Sequence, residues 1–137
     1  MSDYSTDPQL VILAPAHAAV VRETVPMSAL TDYFSRAFHA TMAAAQAQGV
    51  PITGPPFGLY FGMPSETVDV AAGFPTAFPV SPTDDGVTTT ELPGGRAAQI
   101  LHVGTYDSLE QTYGRLMAWL GQKGLRPAEV MWESYLN

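Results

Sequence analysis

Glu133 stands in a short segment, residues 131–135, whose other side chains include two aromatic rings and a thioether. If this segment is a strand, alternate side chains face opposite ways, so Met131, Glu133 and Tyr135 share one face. A carboxylate among such neighbours is partly desolvated, which favours the arrival of a cation or a hydrogen-bond donor. Tyrosine faces also attract organic cations. The pattern indicates a site for lipophilic cations or planar aromatic molecules; the alternative is a carboxylate at a solvated sheet edge whose neighbours only cover the core.

The other residue types that could carry chemistry form no comparable pattern. His17, His39 and His102 lack the close spacing of a preformed metal site, and the sequence has no cysteine. We therefore predict neither a metal nor a cofactor.

Charge and composition narrow the function classes further. The 137 residues include six Lys and Arg against thirteen Asp and Glu, a formal net charge of −7. No basic face is expected that could release counterions from a nucleic acid or dock on an anionic membrane, so we predict direct contact with neither. The polar start of the chain does not resemble a signal peptide, and prolines interrupt the longest uncharged run. We expect a cytoplasmic protein with a flexible N-terminus at residues 1–8 and a single domain at residues 9–137.

Two amphipathic helices are predicted to support the site, because apolar residues recur at helical spacing in both halves of the sequence. The first helix follows Ser28 and ends at Gly49, and the second starts at Ser108 and ends at Gly124. The apolar stripes are Leu30, Phe34, Ala37, Phe38, Thr41 and Ala45 in the first helix, and Leu109, Tyr113, Leu116, Met117 and Leu120 in the second.

Segments rich in β-branched residues, or alternating in polarity, surround these helices and predict the strands. The predicted strands are residues 9–13, 18–25, 59–61, 68–80, 87–92, 96–103 and 130–136. Residues 93–95 (PGG) are a turn signal, which predicts that the strands on either side of them form a hairpin.

An internal repeat organises these elements into two βαββ units. Leu30 corresponds to Leu109 and Tyr60 to Tyr135, and each helix is followed by a glycine stop, a proline and an apolar strand. Chance similarity is the alternative, but the agreement across helix, turn and strand argues against it. The predicted halves are residues 9–80 and 87–137. We predict an α+β fold with pseudo-twofold symmetry, in which a mainly antiparallel sheet carries two helices on one face and a ligand trough on the other.

Side chains alternate between the two faces along the last predicted strand, and this alternation places the site in the trough. Trp132 and Leu136 are large and apolar and suit the face that meets the helices, which leaves Glu133 on the opposite face. By the repeat, Gly58 and Tyr60 share the face of Glu133 on the corresponding strand of the first half. The missing side chain at Gly58 is expected to open space beside the carboxylate.

Several motifs resemble those of the GyrI-like small-molecule-binding domain. They are residues 92–96 (LPGGR) before a strand, residues 102–109 (HVGTYDSL) leading into a helix, residues 132–135 (WESY) near the end, and residues 54–57 (GPPF) before the strand of Tyr60. The resemblance covers nearly the whole chain from about Gln9. It implies the duplicated fold that this family shares with SOUL haem-binding proteins, and a likeness to the effector-binding domains of multidrug-responsive MerR- and AraC-type transcription regulators.

The resemblance also implies a set of binding residues. In the family, a glutamate on the final strand contacts bound cations, and it corresponds to Glu133. The aromatic lining corresponds first to Tyr60 and Tyr135, and then to Phe57, Trp132, Tyr106 and Phe74. Met131 and Gly58, from the strand pattern above, complete the predicted site.

Three functions follow as expectations. The first is a stand-alone protein that binds hydrophobic, often cationic or aromatic small molecules without turnover, as a ligand sensor or for sequestration, since no helix-turn-helix precedes the domain. Its expected partners besides the ligand are a second copy or a separate regulator protein. The second is a hydrolase of reactive cyclopropane-bearing aromatic compounds, with Glu133 as the general base. The third is a protein-interaction module similar to the gyrase inhibitor that gives the family its name.

Overall fold

The computed structural model describes residues 5–62, 65–127 and 130–136, and all of their side chains except that of Tyr106. Its strands are β1 (Gln9–Leu13), β2 (Ala16–Pro26), β3 (Phe57–Phe61), β4 (Thr67–Thr76), β5 (Val87–Leu92), β6 (Gly95–Gln99) and β7 (Val130–Ser134). Its helices are α1 (Leu30–Gln48) and α2 (Leu109–Gln122), each preceded by a short 3-10 turn. The chain forms two compact units, a larger one with β2 to β5, α1 and β7, and a smaller one with β1, β6 and α2.

The larger unit is built on a five-stranded antiparallel sheet in the order β5-β2-β4-β3-β7. Both faces of this sheet are apolar. Val21, Val70 and Ala72 belong to the buried cluster on one face, which also contains α1 residues. The cluster on the opposite face contains Val20 and Phe57. Because both faces are buried, the side-chain pattern of a single strand does not by itself tell which face a helix covers.

α1 packs on the sheet through a stripe of small and aromatic residues, of which Tyr33 and Ala37 are fully buried. The helix ends at Gly49, whose φ of 67° is the left-handed conformation that glycine adopts at low cost. The Val50 N–H donates to the Ala45 carbonyl at 2.9 Å, and the Gly49 N–H donates to the Gln46 carbonyl at 3.2 Å. These two bonds form a Schellman motif, which satisfies carbonyls that the helix end would leave unpaired.

The Tyr33 hydroxyl ties α1 to the centre of the sheet. It accepts a hydrogen bond from the Ala72 N–H at 2.9 Å and lies within hydrogen-bond distance of the Val21 and Val70 carbonyls, the second at 3.0 Å. One side chain thus contacts the backbones of β2 and β4. Burial raises the pKa of Tyr33, so its phenol stays protonated at working pH.

Replacing Tyr33 with phenylalanine is expected to destabilise the larger unit by about 1–3 kcal/mol, because the buried Ala72 N–H would lose its acceptor. Urea denaturation followed by circular dichroism would measure the change in the free energy of unfolding. A variant as stable as the wild type would contradict the structural role assigned to this hydroxyl.

The smaller unit consists of the antiparallel pair β1–β6, in register from Gln9↔Gln99 to Leu13↔Gly95, together with α2. The His102 ring links the segment before α2 to the helix. Its Nε2 donates to the Thr105 carbonyl at 2.8 Å, and its Nδ1 lies 2.7 Å from the Thr112 hydroxyl. α2 is followed by Gly124 with a φ of 69°, so the glycine stops predicted after both helices are confirmed.

The α+β class and the antiparallel pairing are confirmed, and β1 and β5 have the predicted bounds. Three expectations are wrong. Residues 93–95 do not join a hairpin, because β5 pairs with β2 whereas β6 pairs with β1. The strands are divided between two sheets instead of one. Finally, α1 lies on the face of Glu133, because Phe34 of this helix packs over Gly58, the residue opposite Glu133. The pseudo-twofold symmetry and the single domain stay predictions.

Candidate functional site

The final strand pairs with β3, and this pairing brings the predicted site residues together. Gly58 lies opposite Glu133, and Tyr60 lies opposite Met131. Residues directly opposite each other in an antiparallel pair point to the same face. The carboxylate, the glycine and the tyrosine therefore share one face of the sheet.

Glu133 is held by a chain of two phenols. The Tyr135 hydroxyl donates to Glu133 Oε1 at 2.9 Å, and the Tyr60 hydroxyl lies 3.3 Å from that of Tyr135. An ionised carboxylate only accepts hydrogen bonds, and each phenol has one proton to donate. While Tyr135 donates to the carboxylate, Tyr60 must therefore be the donor of the bond between the two hydroxyls.

Tyr135 keeps its proton across the working pH range. Burial raises the pKa of Tyr135, and the neighbouring Tyr60 and Glu133 raise it further, since each disfavours a second negative charge at this point. The phenol is therefore a permanent hydrogen-bond donor. It fixes the orientation of Glu133 through the bond to Oε1.

Aromatic rings surround the hydrogen-bonded Glu133, Tyr135 and Tyr60 on the side of α1. The Tyr135 ring makes edge contacts with Phe34 and Phe38, with centroids 6.0 and 6.3 Å apart. Phe34 and Phe38 stack at 5.6 Å, and Phe38 makes an edge contact with Phe74 of β4 at 5.9 Å. Such pairs prefer these offset and edge geometries because ring edges are positive and ring faces negative. The aromatic cluster of Phe34, Phe38, Phe74 and Tyr135 thus lies between α1 and the sheet.

Gly58 is close-packed within this arrangement. A Cβ built on it would lie 3.1 Å from Cε1 of Phe34 and 3.2 Å from the Tyr135 hydroxyl oxygen. These distances are shorter than ordinary van der Waals contacts. The space that the missing side chain was expected to leave is filled by Phe34 and Tyr135, so that expectation is wrong.

The predicted residues separate into two groups on opposite faces of the sheet. The face of α1 carries Glu133, Tyr135, Tyr60, Met131, Gly58 and Phe74. The opposite face carries Phe57, which is buried, and Trp132, which packs against the cluster there. The side chain of Tyr106 lies outside the described part of the chain. The structure thus brings six of the nine predicted residues to one face.

Sequence reasoning missed Phe34 and Phe38 as site residues. They belong to the predicted apolar stripe of α1, where they were assigned to the core only. The expectation that Trp132 marks the face of the helices was wrong for α1, because the Phe34 ring contacts Gly58 and Tyr135 on the face of Glu133. A pair of phenylalanines four residues apart was the signal that could have identified them.

Within residues 5–62, 65–127 and 130–136, no three His, Asp or Glu side chains are grouped closely enough to hold a metal ion. In the same ranges, no helix combines the length and the apolar character needed to cross a membrane.

A carboxylate beside aromatic side chains is typical of the sites of small-molecule-binding domains, which combine an apolar lining with a few polar groups. Comparison with protein families assigns the chain within that class. Residues 6–137 match the family model of the GyrI-like small-molecule-binding domain, and the chain belongs to this family.

Solved structures with the same fold include two of EcmrR. The cryo-EM structure of an EcmrR–DNA complex has 24% identity and a TM-score of 0.73, and covers 96% of this chain and 50% of that one. The crystal structure of the EcmrR C-terminal domain has 21% identity and a TM-score of 0.73, and the match covers 96% of this chain and 84% of that one. This chain therefore spans half the length of EcmrR in the DNA complex.

A third similar structure is the crystal structure of a hydrolase from Listeria innocua. It has 10% identity and a TM-score of 0.69, and covers 98% of this chain and 87% of that one. No match was found among curated proteins. At these identities, the structural similarities establish the fold.

Proposed function

We propose that this domain binds hydrophobic cationic or aromatic small molecules at Glu133 and releases them unchanged, as a ligand sensor or a sequestering protein. The observation that carries the proposal is the bond from Tyr135 to Glu133, which holds a carboxylate beside aromatic rings. A cation gains charge attraction from Glu133 and quadrupole attraction from the rings. A flat ring system gains apolar contact with the same side chains.

The acidic balance of the chain supports a cationic ligand over an anionic one. The net charge of −7 favours the approach of positive ligands and opposes the approach of nucleic acid. A sensor of this kind would act through a second copy or a separate regulator protein. The similarity to half of the EcmrR chain, whose structure was determined in complex with DNA, supports a link between a domain of this fold and a DNA-bound protein.

A pair of similar ring systems, one charged and one neutral, tests the proposal. N-methylquinolinium is a permanent cation, and quinoline is its neutral counterpart at mildly alkaline pH. We expect the wild-type protein to bind the cation roughly tenfold more tightly in isothermal titration calorimetry, a difference that charge attraction and cation–π contacts together supply. Equal affinities for the two molecules, or binding of neither, would contradict the proposal.

Turnover is tested in the same samples. Mass spectrometry should recover N-methylquinolinium and quinoline unchanged after prolonged incubation. A protein that consumes its ligand would not fit a sensor or a sequestering role.

A hydrolase is the second candidate, favoured by the similarity to the Listeria innocua hydrolase and by the Tyr135–Glu133 bond. Glu133 would take a proton from water while the water oxygen bonds to a cyclopropyl carbon of a strained aromatic substrate. The ring C–C bond would break, and its electron pair would pass into the conjugated system and be protonated there. The product would then equal substrate plus one water. Mass spectrometry would detect this product with the wild type and not with Glu133→Gln, if the hydrolase function is correct.

A further inference from the structure

Phe34 fills the space directly above Gly58. Its Cε1 and Cζ atoms lie 3.1 and 3.2 Å from the position of a Cβ at Gly58, which is the residue opposite Glu133 on the neighbouring strand. Any larger residue than glycine at position 58 would push this ring away. The chain therefore places one of its own aromatic rings beside the carboxylate.

The contacts of Phe34 are those that a planar aromatic ligand would make. Its ring makes an 82° edge contact with Tyr135 and a near-parallel stack with Phe38, and it tilts by 56° against Tyr33. Tyr135 in turn donates to Glu133. A ligand ring stacked in the same place would contact the same side chains.

Phe34 is held less firmly than its neighbour on the helix. Tyr33 is fully buried and has hydrogen bonds to β2 and β4, whereas Phe34 is only half-buried and has no polar atom to anchor it. Phe34 also lies in the second turn of α1, and the N-cap residue of this helix, Ala29, forms no side-chain cap hydrogen bond. A shift of this ring breaks ring contacts only.

We propose that Phe34 is the residue that determines the size of the ligand at Glu133, because its ring occupies the position over Gly58 that an additional ligand ring would take. This inference rests on the proposed binding function. It gives Phe34 a role opposite to that of a lining residue, since shortening its side chain makes room for a larger ligand.

The test uses three cations of equal charge and increasing size, N-methylpyridinium, N-methylquinolinium and N-methylacridinium, measured by calorimetry. In Phe34→Ala, the affinity for the three-ring cation relative to the one-ring cation should rise about tenfold over the wild-type ratio, since one more ring can be buried. Phe34→Leu, which keeps more apolar bulk in the core, should show a smaller rise in the same direction. Thermal melts of both variants would establish that they are folded.

Leu30→Ala is the matched control. Leu30 is half-buried one turn earlier on the same helix and packs against the same core. The three atoms nearest to a Cβ at Gly58 belong to Phe34 and Tyr135 and not to Leu30. This variant should keep the wild-type affinity ratio. If Leu30→Ala changed the ratio as much as Phe34→Ala, the proposal would be wrong.

The possible failures are distinguishable. If the wild type binds the cations but Phe34→Ala loses affinity for all three alike, Phe34 is a lining residue and this inference is overturned while the binding function stands. If neither the wild type nor any variant binds any of the three cations, the proposed function is overturned and this inference with it.

Discussion

Replacing Gly73 with alanine is expected to destabilise the protein by at least about 3 kcal/mol. Gly73 lies in β4, at the centre of the sheet, opposite Val20 of β2 and Phe57 of β3. A Cβ at this position would overlap the carbonyl oxygen of Ala19 and lie 2.8 Å from its carbonyl carbon. These are backbone atoms of a paired strand, so they can move only if β2 separates from β4.

The same substitution at Gly114 provides the control for this prediction. Gly114 lies in α2, and nothing within 4 Å would contact an added Cβ there. Gly114→Ala should therefore be neutral or stabilise the protein by up to about 1 kcal/mol, because alanine is the better helix former. Urea denaturation of both variants would measure the two changes. Gly73→Ala would contradict the strand geometry if it proved as stable as Gly114→Ala.

Replacing Glu133 with glutamine is expected to weaken binding of N-methylquinolinium by roughly tenfold to a hundredfold. Glutamine keeps the shape of the side chain and an oxygen that accepts from Tyr135, but it removes the charge that attracts the cation. Affinity for neutral quinoline should change little. The free energy of unfolding should also change little, since the hydrogen bond from Tyr135 is preserved.

Glu91→Gln separates this local effect from the general loss of one negative charge. Glu91 is an exposed residue of β5, at the edge of the sheet far in strand order from β7, and its replacement changes the net charge by the same amount. Solvent and salt screen such a charge, so Glu91→Gln should bind N-methylquinolinium as the wild type does. Equal losses in the two variants would mean that Glu133 has no direct contact with the cation.

Local physical chemistry determined the elements from the sequence alone. Apolar spacing set both helices, and Gly49 and Gly124 ended them because each takes a positive φ. Strand alternation correctly separated Glu133 from Trp132, because successive side chains on a strand always point to opposite faces. These features depend on residues within a few positions of one another, which a sequence displays directly.

The tertiary structure decided which strands pair and which face α1 covers. The sheet is apolar on both faces, so the large apolar side chain of Trp132 did not indicate which face α1 covers. The turn signal at residues 93–95 did not indicate which strands pair. Pairing of β7 with β3 brings Glu133 beside Gly58, residues distant along the chain. Such contacts depend on the total burial that competing arrangements achieve. The sequence therefore determined the carboxylate and its tyrosines, and only the fold placed Phe34 and Phe38 against them.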